Sequence, residues 1–101
     1  MVRHIVMWTL KNEAEGASAA ENAAEMKKRL EALNGRIDGL RNLEVGTEIV
    51  AADPECHVAL CSEHDDENAL DHYQAHPEHQ ACVAFVKKVA ATRRVLDYIV
   101  R

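Results

Sequence analysis

The chain has no long apolar run. Near its start the longest strongly apolar stretch is Ile5-Val6-Met7-Trp8, far short of the roughly 20 residues of a membrane-spanning helix and too short for the core of an export signal. Positive charge is not in excess either. Seventeen acidic against twelve basic side chains give a formal net charge of −5, which argues against nucleic acid or an anionic membrane surface as a partner, since both attract basic patches. The Lys27-Lys28-Arg29 cluster is flanked by Glu25 and Glu31 and reads as a solvated helix face. Cysteine is scarce: Cys56, Cys61 and Cys82 are an odd number without zinc-type spacing. On one extended strand Cys56 and Cys61 point to opposite faces and cannot bridge. Three reduced thiols in a reducing compartment are therefore expected. No linker, repeat or low-complexity segment interrupts the 101 residues. A single domain over residues 1–101, complete and cytoplasmic, is the expectation.

What the chain does have is clear periodicity. Val2 to Leu10 alternates as a strand, and Ser18 with Glu21 three residues later forms the capping box of a helix. Ala23, Met26, Leu30 and Leu33 share one face of that helix, which Asn34-Gly35 ends. Residues 41–50 alternate as a half-buried strand, with Leu43, Val45, Thr47 and Ile49 on one side. Asp53-Pro54 makes a turn before a third strand over 56–63. Asp65 and Asp66 stand where a helix N-cap belongs. Pro77 cannot continue that helix but suits the first turn of another, which carries Val83, Val86 and Val89. Arg93 and Arg94 lead into a last strand, Val95 to Val100. The order β-α-β-β-α-α-β predicts an α+β, ferredoxin-like domain: a four-stranded antiparallel sheet with helices on one face.

The first and third strands are apolar on both sides. Ile5 and Met7 oppose Val6 and Trp8, and Ala59 and Cys61 oppose Val58 and Leu60. The helices of one small domain cover only one face of a sheet. A second copy packed sheet to sheet would cover the other, giving a two-fold homodimer.

Residues 71–79, Asp-His-Tyr-Gln-Ala-His-Pro-Glu-His, place three histidines and a tyrosine in nine positions. Imidazole exchanges a proton near neutrality and a phenol donates or accepts a hydrogen bond, so acid/base chemistry would sit here. The plainer alternative is that Tyr73 and His79 merely tie the helix break at Pro77. His4, among apolar neighbours, is expected to be buried and hydrogen-bonded, as a pocket group or as a core histidine. His72 and His76 have the i, i+4 spacing of two zinc ligands, but no third ligand has convincing spacing.

Four stretches together resemble one family, the stress-responsive α/β-barrel (Dabb) domain: MVRHIVMWTLK over 1–11, IDGLRNLEVG over 37–46, SEHDDENALDHYQAHPEH over 62–79 and RVLDYIV over 94–100. The match spans essentially the whole chain. Its most specific part is Tyr73-x-x-His76-Pro77-x-His79 together with His4. The resemblance implies a dimeric α+β barrel, two sheets face to face with helices outside. At this motif the chain is similar to the family's olivetolic acid cyclase of plant polyketide biosynthesis. That implies Tyr73 and His79 as an acid/base pair, with His4, Val6, Trp8, Leu60 and His76 binding a polyketide-like or carbonyl-rich small molecule, and neither metal nor cofactor. Some residues depart from the pattern. Val58 stands where the cyclase has a histidine; His57 beside it is expected to turn toward the dimer interior. His64 stands where the family usually has Phe, and Asp38 where it usually has Pro. Two other readings stay open: a non-catalytic stress-associated protein acting through its dimer or higher assembly, and a metal-dependent member.

Overall fold

A computed structural model describes residues 1–101. Strand β1 (Val2–Leu10) leads into a small hairpin, β2 (Glu13–Ala14) and β3 (Ala17–Ser18), and then helix α1 (Ala19–Glu31). Strands β4 (Leu40–Gly46) and β5 (Val58–His64) follow, then helices α2 (Glu67–Ala75) and α3 (Pro77–Val89) and strand β6 (Ala90–Ile99). The sheet order is β4-β5-β1-β6, and every neighbouring pair is antiparallel. This is a ferredoxin-like α+β fold with the helices on one face. No helix is long and apolar enough to cross a membrane.

Local chemistry sets the helix boundaries. Ser18 Oγ accepts from Glu21 N while the Glu21 carboxylate accepts from Ser18 N, closing the capping box of α1. Asp66 caps α2 by accepting from Ala69 N at 2.8 Å. Pro77 opens α3, where its missing N–H costs nothing. The hairpin escapes sequence reading because its turn, Glu15-Gly16, has no apolar alternation; both residues take positive φ, 53° and 72°, as a two-residue turn requires.

Alternation in β1 divides the sheet. Val2, His4, Val6, Trp8 and Leu10 are buried beneath the helices, as are Val58, Leu60, Ser62 and His64 of β5 and Leu43 and Val45 of β4. Met26 and Leu30 of α1, Leu70 and Tyr73 of α2, and Cys82, Val86 and Val89 of α3 close the core from above. The opposite face carries Ile5, Met7, Ala59, Cys61, Leu96 and Tyr98; Met7 is 37% exposed, Leu96 56% and Tyr98 39%. Apolar side chains thus lie on both faces; the helices cover one over β1, β4 and β5, while Val95 and Ile99 of β6 on that same face stay half exposed.

Two strand boundaries differ from expectation for reasons of pairing. β4 stops at Gly46, because its partner β5 reaches only to the Gly46–Ala59 pair; beyond it Val50 is fully exposed. β6 starts at Ala90 rather than Val95, because central strand β1 runs to Leu10 and offers partners that far. Arg93 and Arg94 are therefore strand residues. His57 differs too. It lies just outside β5, where its Nδ1 accepts from Leu10 N at 2.8 Å and its backbone N donates to Trp8 O. The register shift at Thr9/Leu10 frees that amide, so His57 serves the end of β1 and is not a group of the open sheet face.

Gly39 fixes how α2 docks. Its φ is +86°, and a Cβ there would lie 2.6 Å from Ala69 Cβ on α2. Gly39→Ala is expected to lower unfolding free energy by about 2–4 kcal/mol, from backbone strain plus displacement of α2. Urea denaturation reads this directly, and an unchanged midpoint would show that the contact is not tight.

Candidate active site

Pro77 creates the site by breaking one helix into two. The last carbonyls of α2 have no intrahelical partner, and Gln74 O accepts from His79 Nδ1 at 3.2 Å and from Gln80 Nε2. This bond fixes His79 as the Nδ1–H tautomer, with Nε2 as its free lone pair. The break also lays His79 against Tyr73, ring centroids 4.3 Å apart. Tyr73 in turn lies 4.8 Å from His64 and 6.2 Å from His4, centroid to centroid. Four proton-bearing rings from four elements, β1, β5, α2 and α3, thus meet between sheet and helices.

Three of these rings, His4, Tyr73 and His79, line a cavity of about 310 Å³, at the small end for ligand sites; His64 lies behind Tyr73. His4, Val6 and Trp8 of β1, Leu60 of β5, Leu30 of α1, and Val83 and Val86 of α3 line it with Tyr73, Gln74 and His79. Lys87 and Arg93 stand at its margin. The structure therefore brings together six residues singled out from the sequence: His4, Val6, Trp8, Leu60, Tyr73 and His79. His76, expected with them, does not line the cavity. Its ring is the N-cap of α3, Nδ1 accepting from Glu78 N at 3.1 Å, and this turns it away from the core. His76 packs edge-on against His72 at 5.8 Å, and no third His, Cys, Asp or Glu joins them as a metal-ligating group.

Three contributors were not visible in the sequence. His64 is completely buried and shares a hydrogen bond with Ser62 Oγ at 2.8 Å. Asp97 of β6 accepts from His4 Nδ1, because β1–β6 register sets these two opposite each other. Gln74 supplies the carbonyl that orients His79. Alternation along β5 could have turned His64 inward; Asp97 needed the strand register, which periodicity does not give.

The electrostatics keep His64, His79 and Tyr73 uncharged. Burial, assisted by His4, pushes His64 down to about 4. Burial lowers His79 as well; the Gln74 bond opposes this, and the neighbouring His4 and Arg93 add to it. Burial drives the Tyr73 phenol well above its ordinary value, so it stays protonated. Tyr73 Oη, Trp8 Nε1 and His64 Nδ1 are buried and have no hydrogen-bond partner. Each such group costs about 1–3 kcal/mol, and two of the three belong to cavity-lining residues.

Residues 2–100 match the stress-responsive A/B barrel domain. The chain belongs to this family. An uncharacterized protein of Streptomyces coelicolor is 35% identical over 97% of this chain and 98% of its own length. A dimeric ferredoxin-like protein of unknown function from Bacteroides fragilis is 29% identical, with a TM-score of 0.79 over 96% of this chain and 93% of that one. The hydroxynitrile lyase of Passiflora edulis, 16% identical, shares the fold with a TM-score of 0.79 over 99% and 93%. The Dabb domain thus presents its cavity on the helix-covered side of the sheet.

The buried imidazoles make stability depend on pH. Because His64 and His79 have lower pKa values folded than unfolded, the unfolded chain binds more protons as pH falls. Stability is complete above about pH 6.5 and declines as pH falls toward about 4, the value for His64. In His64→Phe, urea midpoints measured between pH 7 and pH 4.5 should fall less steeply, by an amount on the order of 1–3 kcal/mol. Parallel profiles for the two proteins would show that His64 is not desolvated.

Proposed function

We propose that this Dabb domain binds a carbonyl-bearing small molecule and acts on it by cofactor-free acid/base catalysis, with His79 as base and Tyr73 as hydrogen-bond donor. The observation that carries this reading is the buried, unpartnered Tyr73 hydroxyl beside a neutral His79 whose tautomer is fixed. Enolisation needs a base for a carbon-bound proton and a donor for the developing oxyanion. A neutral Nε2 supplies the first, and a phenol held protonated by burial supplies the second. Intramolecular aldol closure of a polyketide-like chain, as implied by the resemblance to olivetolic acid cyclase, uses the same two roles. His4, held by Asp97, lines the same cavity.

Deuterium exchange at the benzylic α-carbon of a simple ketone such as phenylacetone, followed by NMR, tests the pair without knowledge of the native substrate. Tyr73→Phe and His79→Gln should each slow exchange by about 10²–10⁴-fold. The rate should show an acid limb with a midpoint below about 6.5, where His79 becomes protonated. Because the Tyr73 hydroxyl makes no bond within the protein, Tyr73→Phe should keep or raise the melting temperature. A large loss of stability without loss of exchange would reduce the pair to a structural tie.

The uncovered sheet face favours a homodimer as the working assembly. Met7, Leu96 and Tyr98 form an apolar surface that a second copy would bury, and the Bacteroides fragilis relative is described as dimeric. Three free thiols fit a reducing compartment, the cytoplasm. Light scattering at micromolar concentration should give twice the 11.3 kDa of one chain. Leu96→Lys should shift it toward the monomer, and a wild-type monomer would refute the assembly.

A further inference from the structure

The cavity is cationic in an acidic protein. The chain carries a formal charge of −5, yet the charged side chains lining the cavity are Lys87 and Arg93 alone, with no carboxylate among them. Arg93 pairs across the sheet with Trp8, so both project from the same face into the cavity margin. Lys87 follows Val86 at the end of α3 and faces it from the helix layer. Elsewhere most basic side chains have acidic partners: Arg3 with Glu63, Lys27 with Glu31, Arg29 with Glu25, Arg36 with Glu78, Arg41 with Asp65 and Lys88 with Glu15. Lys87 and Arg93 take part in no ion pair. Asp97 shares the inner face of β6 with Arg93, but its carboxylate is engaged by His4 and lies outside the cavity lining.

We propose that Lys87 and Arg93 form a carboxylate-binding subsite, and that the cavity takes a keto acid: a ketone at Tyr73, an apolar body along Val6 and Leu60, and a carboxylate at the margin. A planar guanidinium matches a carboxylate with two parallel hydrogen bonds, and the lysine adds a mobile point charge. The overall negative charge of the protein opposes entry of an anion, so the local pair decides whether one binds. The apolar walls reject charge in the middle of the ligand, which leaves its anionic group at the margin. This inference rests on the acid/base reading of Tyr73 and His79 and adds the class of molecule they act on.

The chain has one tryptophan, Trp8, and it lines the cavity, so intrinsic fluorescence reports occupancy. The probes are 7-oxooctanoate and its methyl ester, which share a ketone and a chain and differ in charge. Wild type should bind the acid about tenfold or more tightly than the ester, as expected for a charge-assisted contact. That preference should shrink with added salt. In Lys87→Ala with Arg93→Ala the two probes should bind equally. Both residues are exposed and unpaired, so the fold has no stake in them. Tyr73→Phe should weaken both probes alike and keep the preference. Equal binding of acid and ester by wild type overturns the carboxylate subsite while leaving the acid/base site standing. An acid preference that survives removal of both cations also overturns it. Failure of both probes to bind, with Tyr73→Phe without effect on ketone exchange, sinks both readings together.

Discussion

A single hydrogen bond, from His79 Nδ1 to the carbonyl of Gln74, connects the backbone of this domain to its chemistry. It exists because Pro77 interrupts what would otherwise be one long helix and leaves carbonyls at the end of α2 unsatisfied. Satisfying one of them turns His79 over Tyr73 and decides which ring nitrogen holds the proton. Without the break, residues 73 and 79 on a continuous helix would be separated by a turn and a half and point in different directions. The same break frees His76 to cap α3. The helix break and the arrangement of the buried rings therefore depend on the same few peptide groups.

Much of this was legible in the sequence, because periodicity reports burial. The alternation of β1 assigned His4, Val6 and Trp8 to one face. The capping box at Ser18 and the acid at Asp66 marked two helix starts within a residue. Pro77 announced the helix pair. What stayed hidden was relational. Asp97 becomes a partner of His4 only through the register between β1 and β6. Arg93 reads as a polar residue before a strand until β1 proves long enough to recruit it. His76 was misassigned because spacing within the motif says nothing about which imidazole caps a helix and which turns inward. Sequence pattern gives the face of each element; it does not give the pairing between elements.

The sheet divides the molecule's labour between its faces. On the helix side it carries His64, His79 and Tyr73, held neutral by desolvation, and Tyr73 Oη and His64 Nδ1 lack partners. Such groups oppose folding, and the apolar packing of α1, α2 and α3 must outweigh them. On the other side the sheet presents Met7, Leu96 and Tyr98 to solvent. Burying that surface in a second copy would add stability where the helix side gives some up. A buried polar cluster that costs stability and an association that would restore it are a coherent pair.

β6 joins the sheet at the far side of β1, and the His4–Asp97 contact links positions 93 residues apart. Contacts of such long range form late, since a large loop must close before they contribute. During synthesis on the ribosome, residues 2–89 can supply three of the four sheet strands and all three helices, yet the cavity lacks Arg93 and the partner of His4 until β6 emerges. The nascent domain therefore passes through a stage with its core assembled and its cavity unfinished, and the site is complete only with the closing stitch.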